Sequence, residues 1–257
     1  MPTLSHDGCA IYYEVHGSGD PIVFAHGAGG SHLSWWQQVP HFRDRFTCVT
    51  FDHRGYGRSR ADPEPDNGRH YVGDLAALID HLGFESVNLI AQSMGGWTCL
   101  GYARRHPDRV RRLVMASTPG GLISPEIEAE LAKTWSQPAP PPGSAPPAYG
   151  ERMLKEAPTL AFLYDQIAGL NPPRDRRQIF ALLRAIHTAT ADQVAGFTIP
   201  TLLIVGGEDA SIRPDAIIAA SRLIPGARLE VVPEAGHSLY FQYPDRFNQL
   251  VDSFLSA

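Results

Sequence analysis

The chain has 257 residues, 43% hydrophobic and 19% charged, with a formal net charge of −5. That size and balance fit one large α/β domain with a substantial buried core. The negative balance offers no basis for binding a polyanion, and no apolar run approaches the ~20 residues that cross a bilayer, so neither nucleic acid nor membrane is an expected partner.

At the N-terminus, Met1 to Gly8 carries no basic segment followed by an apolar run, and Cys9, Cys48 and Cys99 follow no ligand or disulfide spacing. Both features fit a cytoplasmic protein with reduced thiols. An antiparallel hairpin is expected around Ala10 to Val15. Strand-like runs follow near 21–25 and 46–52, and helix-like runs near 31–42 and 70–82. Between the first of these strands and the first helix lies His26-Gly27-Ala28-Gly29-Gly30. Its glycines let backbone N–H groups approach a ligand oxygen closely. His26 is expected to brace the loop.

The strand near 87–91 runs into Ala91-Gln92-Ser93-Met94-Gly95, and a helix is expected over 94–106. A serine on so tight a strand-to-helix turn presents its hydroxyl to a cleft, and the positions two before and two after it must be small. Ala91 and Gly95 meet that need. The helix also aims its N-terminal N–H groups at the point where negative charge would develop. Its arginine-rich end, Arg104 to Arg112, reads as a solvated face that complements the helix dipole. Ser93 is thus the candidate nucleophile, with the Ala28 and Met94 N–H groups as its oxyanion hole.

After a strand near 110–117, the strand–helix rhythm stops between about residues 120 and 195. Helices fit near 124–136, 147–157, 159–169 and 174–189. They predict an all-helical cap, 120–195, inserted between the sixth and seventh strands of a core formed by 1–119 and 196–257. Asn171-Pro172-Pro173 breaks two of these helices, and Pro138 to Pro147, six prolines in ten residues, should be a semi-rigid connection. The rhythm resumes with strands near 201–206 and 228–232 and helices near 213–223 and 242–255. One strand ends in Gly206-Gly207-Glu208-Asp209, and the other leads to Gly236-His237. Open α/β sheets hold functional groups just beyond the C-terminal ends of their strands. A serine hydroxyl needs a base, and the base an orienting carboxylate, so His237 and Asp209 complete a candidate triad.

On His26 to Gly30, Asp52-His53-Arg54-Gly55-Tyr56-Gly57-Arg58-Ser59, Ala91 to Gly96, Gly207-Glu208-Asp209 and Gly236-His237, the chain resembles the α/β-hydrolase-fold family over nearly its whole length. The resemblance implies a mostly parallel central sheet flanked by helices. The order Ser93, Asp209, His237 is the nucleophile–acid–base order of that fold. Asp52 and Arg54 would belong to a structural turn beside the site. Within the family the chain is most similar to small bacterial esterases, enol-lactonases, cofactor-free haloperoxidase-like perhydrolases and carbon–carbon bond hydrolases. A serine nucleophile sets it apart from the dehalogenases and epoxide hydrolases, which use aspartate, and from the cofactor-free dioxygenases, which carry histidine there. An oxyanion loop without proline, Gln92 before the serine and Ser238 after the base depart from the carbon–carbon hydrolase pattern.

The expected function is hydrolysis of a small to medium, mainly apolar carboxylic ester or lactone through an acyl-enzyme. Two alternatives stand beside it: a carbon–carbon bond hydrolase of the same fold, and a ligand receptor with an intact but slow hydrolase site. No cofactor is expected, and no metal, since His-Glu-x-x-His and Cys-x-x-Cys are absent. Gly27, Trp35, Trp97, Trp135 and Tyr164 are the expected pocket residues. Trp36, Phe162 and Phe180 read as packing aromatics, and His187 as a surface residue. A monomer or homodimer is expected.

Overall fold

The computed structural model of the chain describes residues 2–61, 68–136, 148–172, 176–186 and 189–257. Its strands are β1 (Thr3–His6), β2 (Cys9–His16), β3 (Asp20–Ala25), β4 (Phe46–Phe51), β5 (Arg60–Ala61), β6 (Val87–Gln92), β7 (Val110–Ala116), β8 (Leu122–Ile123), β9 (Ala189–Thr190), β10 (Thr201–Gly206) and β11 (Arg228–Val232). The helices are α1 (Gln38–Phe42), α2 (Tyr71–His81), α3 (Gly95–Arg105), α4 (Pro125–Trp135), α5 (Gly150–Glu156), α6 (Pro158–Ala168), α7 (Arg176–Ala185), α8 (Ala191–Val194), α9 (Pro214–Leu223), α10 (Leu239–Gln242) and α11 (Pro244–Leu255).

One sheet runs in the order β1-β2-β4-β3-β6-β7-β10-β11, with β5 against β2. β2 is antiparallel to β1, β4 and β5. Every neighbouring pair from β4 to β11 is parallel. Asp7 and Gly8, with φ of 42° and 71°, close the β1–β2 hairpin, because a two-residue turn that follows strand twist needs left-handed backbone at both positions.

Alternating side chains build a core on each face of the sheet. Val23, Ala25, Leu89, Ala91, Leu203 and Val205 point to one core, which Leu75 and Leu78 of α2, Leu100 of α3 and Ile217 of α9 complete. Ile22, Phe24, Ile90, Leu202 and Ile204 point to the other, closed by Phe42 of α1 and by Phe247, Val251 and Phe254 of α11. A parallel strand covered on both faces is apolar throughout, which is the pattern β3 and β10 carry.

The helix expected over 31–42 is divided. A 3₁₀ turn at His32–Trp35 precedes α1, because Ser31 caps it by accepting from the Leu33 N–H while Ser34 returns a bond to the Ser31 N–H. This turn locks Trp35 between Phe24 and Tyr240, at ring centroid separations of 5.2 and 4.7 Å. Trp35 is therefore a core residue rather than the pocket residue expected.

Between β7 and β10 lie α4 to α8, the first four near the helices expected there, but the segment is not all-helical. β8 and β9 pair in parallel, Leu122 opposite Ala189, and draw the two ends of the insertion together. Two-residue strands leave no periodic signal in a sequence. The inserted helices share the cores of the sheet: Ile127 and Leu131 of α4 join the first, and Met153, Ala161 and Tyr164 the second. The proline-rich run 138–147, Pro173, His187 and the Phe180 side chain lie outside the described residues. Cys9, Cys48 and Cys99 are buried and form no disulfide. Among the described residues no helix is long and apolar enough to cross a membrane, and no group of histidine, cysteine and acidic side chains could hold a metal ion.

Candidate active site

Ser93 sits between the end of β6 and the start of α3 with φ at +48°, in the left-handed region that a non-glycine residue enters only under constraint. Its N–H donates to the Ala116 carbonyl of β7 at 3.0 Å, and its carbonyl accepts from the Gly96 N–H at 2.8 Å. The turn can be this tight because α3 starts with two glycines. A Cβ at Gly95 would collide with the Ala25 carbonyl oxygen of β3, and one at Gly96 with the Thr118 side chain beyond β7. The small-residue rule around the serine anticipates Gly95. Gly96 answers a tertiary contact that the sequence does not reveal.

Asp209 and His237 meet at the same edge of the sheet. The loops after β10 and β11 are bonded to each other, Gly207 N–H to Val232 O and Glu208 N–H to Ala235 O, both at 2.9 Å. Gly206 and Gly207 allow this, since a Cβ on either would strike the backbone of residues 233–236. One carboxylate oxygen of Asp209 accepts from the Ser211 and Ile212 N–H groups at 2.8 and 2.9 Å. The other accepts from His237 Nδ1 at 2.8 Å. A carboxylate that only accepts selects the tautomer of the neutral ring with its proton on Nδ1, which leaves the lone pair on His237 Nε2. Both side chains are buried.

The loop after β3 lies directly against the serine. A Cβ on Gly27 would stand 3.0 Å from Ser93 Cβ and would overlap the Gln92 amide oxygen. Gly30 N–H closes a turn onto the Gly27 carbonyl at 2.9 Å, leaving Ala28 and Gly29 at its corners. The same carbonyl accepts from His26 Nδ1 at 2.7 Å, while His26 Nε2 accepts from the His53 N–H at 2.9 Å. Burial lowers the His26 pKa, and both bonds suit a neutral ring protonated on Nδ1. Met94, which follows the serine, is fully buried at the start of α3.

Asp52 and Arg54 are held by the scaffold. Asp52 accepts from the His32 N–H at 2.6 Å, His32 Nδ1 at 2.9 Å and the Arg58 N–H at 2.8 Å. Burial pushes its pKa up, but the His32 bond, the neighbouring imidazoles and the Arg58 N–H outweigh burial and hold it below the usual carboxylate value. Arg54 grips Asp74 of α2 with two bonds, at 3.0 and 2.6 Å, and donates to the Asp7 and His6 carbonyls.

Trp97, one turn beyond Ser93 on α3, borders a cavity of about 460 Å³ with Leu122, Leu131, Trp135 and Leu183, and with the exposed Glu128 and Arg184. Trp97 Nε1 donates to the Leu183 carbonyl of α7 at 3.2 Å, and the Arg184 guanidinium lies over the Trp135 ring. Tyr164 of α6 stands elsewhere, packed against Tyr149 and Phe241, with its hydroxyl beside Gly29. The structure thus divides the expected pocket residues: Gly27 and Tyr164 are at the glycine loop after β3, Trp97 and Trp135 at the cavity, and Trp35 in the core. Gln92, which the sequence marks only as a departure from the carbon–carbon hydrolase pattern, lies among the candidate site residues. Its Nε2 donates to the His237 carbonyl at 3.2 Å.

A family model for the alpha/beta hydrolase fold matches residues 20–162, more than half of the chain. A provisionally named carbamate hydrolase, RutD, of Azorhizobium caulinodans is 27% identical over 99% of this chain and 98% of its own length. The 2-hydroxy-6-oxo-2,4-heptadienoate hydrolase of Pseudomonas putida is 28% identical over 94% of this chain and 91% of its own. Among solved structures, a thermophilic esterase from Thermogutta terrifontis superposes with a TM-score of 0.78 at 26% identity, covering 99% of this chain and 96% of that one.

Proposed function

The chain belongs to the alpha/beta hydrolase fold family, and on that footing we propose that it is a serine hydrolase that cleaves small to medium, mainly apolar carboxylic esters or lactones. The bond from His237 Nδ1 to Asp209 carries this reading, because it leaves Nε2 as a base at the edge where Ser93 stands on its strained turn. His237 takes the Ser93 proton as the hydroxyl oxygen attacks the acyl carbon. The N–H groups of Ala28 and Met94 take the charge on the tetrahedral oxygen. His237 then protonates the departing alkoxide, or the enolate of an enol-lactone, and the ester bond breaks. Water activated by the same histidine releases the acid and restores the serine. Asp209 keeps the imidazole in its tautomer and stabilises the imidazolium.

The helices between β7 and β10 act in this reading as a cap that selects the substrate. Its apolar part is assigned to the cavity beside Trp97, whose size lies within the range of small-molecule sites. The esterase from Thermogutta terrifontis supports an ester substrate, while the Pseudomonas putida relative supports the carbon–carbon alternative.

The test is steady-state turnover on a panel of aryl esters, lactones and a vinylogous diketone, with Ser93→Ala and Asp209→Asn beside the wild type. Ester or lactone turnover should vanish in Ser93→Ala and fall by about 10⁴ in Asp209→Asn, where the tautomer is lost. Turnover that survives Ser93→Ala removes the assigned nucleophile. Preference for the diketone favours the carbon–carbon reading, and a single burst with a stalled adduct favours a receptor.

A further inference from the structure

Asn171 follows α6 in the inserted segment, and its side chain reaches back to two loops of the sheet. Its Oδ1 accepts from the Gly57 N–H at 2.8 Å. Its Nδ2 donates to the Gly30 carbonyl at 3.0 Å and, more weakly, to the Gly29 carbonyl at 3.4 Å. The amide orientation follows from its partners, since a reversed amide would set oxygen against two carbonyls and nitrogen against an N–H. Aspartate, serine or alanine could not satisfy all three groups.

Asn171 is itself held in place. Its N–H donates to the Ala168 carbonyl at 3.1 Å, and Leu170 N–H to the Ile167 carbonyl at 3.2 Å, so it extends the last turn of α6. Pro172 then restricts its backbone. At the other end, Gly57 has a φ of +47° and lies so close to Asp52 that a Cβ would strike the carboxylate. The N–H that Asn171 meets is therefore fixed by the buried Asp52 network.

We propose that Asn171 is a positioning residue that latches the inserted segment onto the oxyanion loop and sets the direction of the Ala28 N–H. This deepens the hydrolase reading and rests on it. Gly29 and Gly30 are the two residues that follow Ala28, and glycine backbone has wide freedom unless something restrains it. His26 restrains the loop from the core side, through the Gly27 carbonyl. Asn171 restrains it from the cap side, through the Gly29 and Gly30 carbonyls. With both in place the turn at Ala28-Gly29 is clamped between two fixed points before substrate arrives. A donor set in advance is what stabilises an oxyanion without reorganisation at the moment of reaction. Displacement of the inserted segment would release the cap side, so the position of the segment and the competence of the hole are coupled.

The experiment compares wild type, Asn171→Ala, the nearly isosteric Asn171→Asp and Ser93→Ala, reading turnover, thermal unfolding and amide hydrogen exchange. Both Asn171 variants should lose kcat by about 10- to 100-fold, as expected for a misplaced donor rather than a missing one, with KM for a small ester within about twofold of wild type. Amides of residues 27–31 and of Gly57 should exchange at least about tenfold faster, while those of β6 keep their protection. Asn171→Asp should be no better than Asn171→Ala, because its carboxylate faces the Gly29 and Gly30 carbonyls with lone pairs. Unchanged exchange in the 27–31 loop, or faster exchange throughout the sheet, overturns the latch, as does wild-type kcat in Asn171→Ala. If the wild type shows no Ser93-dependent turnover, the hydrolase reading fails separately, and the exchange data still decide whether Asn171 holds the loop.

Discussion

The Gln92 side-chain amide donates to the His237 carbonyl oxygen at 3.2 Å, so the residue before the proposed nucleophile holds the backbone of the proposed base. Gln92 is buried, with its amide oxygen at Gly27, and it therefore touches the loops of all three functional parts. Gln92→Leu should lower kcat about tenfold and destabilise the protein by about 1–2 kcal/mol, since a buried carbonyl loses its donor. Gln92→Asn should behave similarly, because a side chain one methylene shorter falls short of the His237 carbonyl. Steady-state kinetics and urea unfolding check both variants, and wild-type kcat in Gln92→Leu would remove this coupling.

Gly95 and Gly96 differ in what confronts an added methyl group. At Gly95 it is the β3 backbone, which cannot move without disturbing the sheet; at Gly96 it is the Thr118 side chain. Both alanine variants should lose about 1–3 kcal/mol or more from overpacking, with Gly95→Ala the worse. Thr118→Gly should rescue Gly96→Ala in part and leave Gly95→Ala unimproved. A double-mutant cycle by urea unfolding measures the difference, and equal rescue of both would contradict the assigned contacts.

Some of this was legible in the chain and some was not, for physical reasons. Apolar runs mark β3, β6, β10 and the second half of β7, because a doubly covered parallel strand is apolar on both faces. Ser93, Asp209 and His237 stand out because their chemistry demands particular side chains just after strand ends. Trp35 reads as a pocket residue by its nearness to the glycine loop, yet the Ser31–Ser34 capping exchange turns it into the core. Asn171 reads only as the break before two prolines, because its partners, Gly29, Gly30 and Gly57, are more than a hundred residues away. The β8–β9 pair is too short to leave a pattern. What the sequence conceals is long-range pairing by ordinary polar side chains, which has no local period.

His53 and His26 stack edge to face at 4.5 Å between ring centroids, wholly buried. Burial lowers both pKa values, and for His53, pushed well below the usual imidazole value, the nearby His26 adds to the effect. The unfolded chain takes up protons on these rings near pH ~6.5, whereas the native rings stay neutral until lower pH. Above that point the two histidines leave stability unchanged. As pH falls below it the unfolded state binds more protons, and stability drops by up to about 1.4 kcal/mol per pH unit for each ring. His53→Gln should flatten the decline between about pH 6.5 and 5 by up to one proton's worth, whatever its effect at pH 7.5. Urea melts across that range supply the slope, and an unchanged slope would show that His53 titrates normally in the folded protein.

Leu131 of α4 lines the cavity beside Trp97, so its size should set how long an acyl or alcohol chain the enzyme accepts. Each methylene buried in an apolar pocket contributes about 0.8 kcal/mol, close to a fourfold gain in kcat/KM. A series of linear esters should therefore rise by up to about that factor per carbon and level off once the cavity is full. Leu131→Trp takes up part of the space without adding charge, and should move the plateau to shorter chains. The shortest ester should keep its wild-type kcat, because Leu131 lies on the inserted helix and outside the Ser93, Asp209 and His237 constellation. If the plateau stays where it was, the chain binds elsewhere. The ring cluster of Tyr149, Tyr164 and Phe241, whose Tyr164 hydroxyl stands beside Gly29, would then be the place to substitute next. A plateau that shifts together with a fall in kcat for the shortest ester would instead mean that α4 moves the catalytic edge itself. The chain-length series separates these outcomes because the cavity acts only on substrates long enough to enter it.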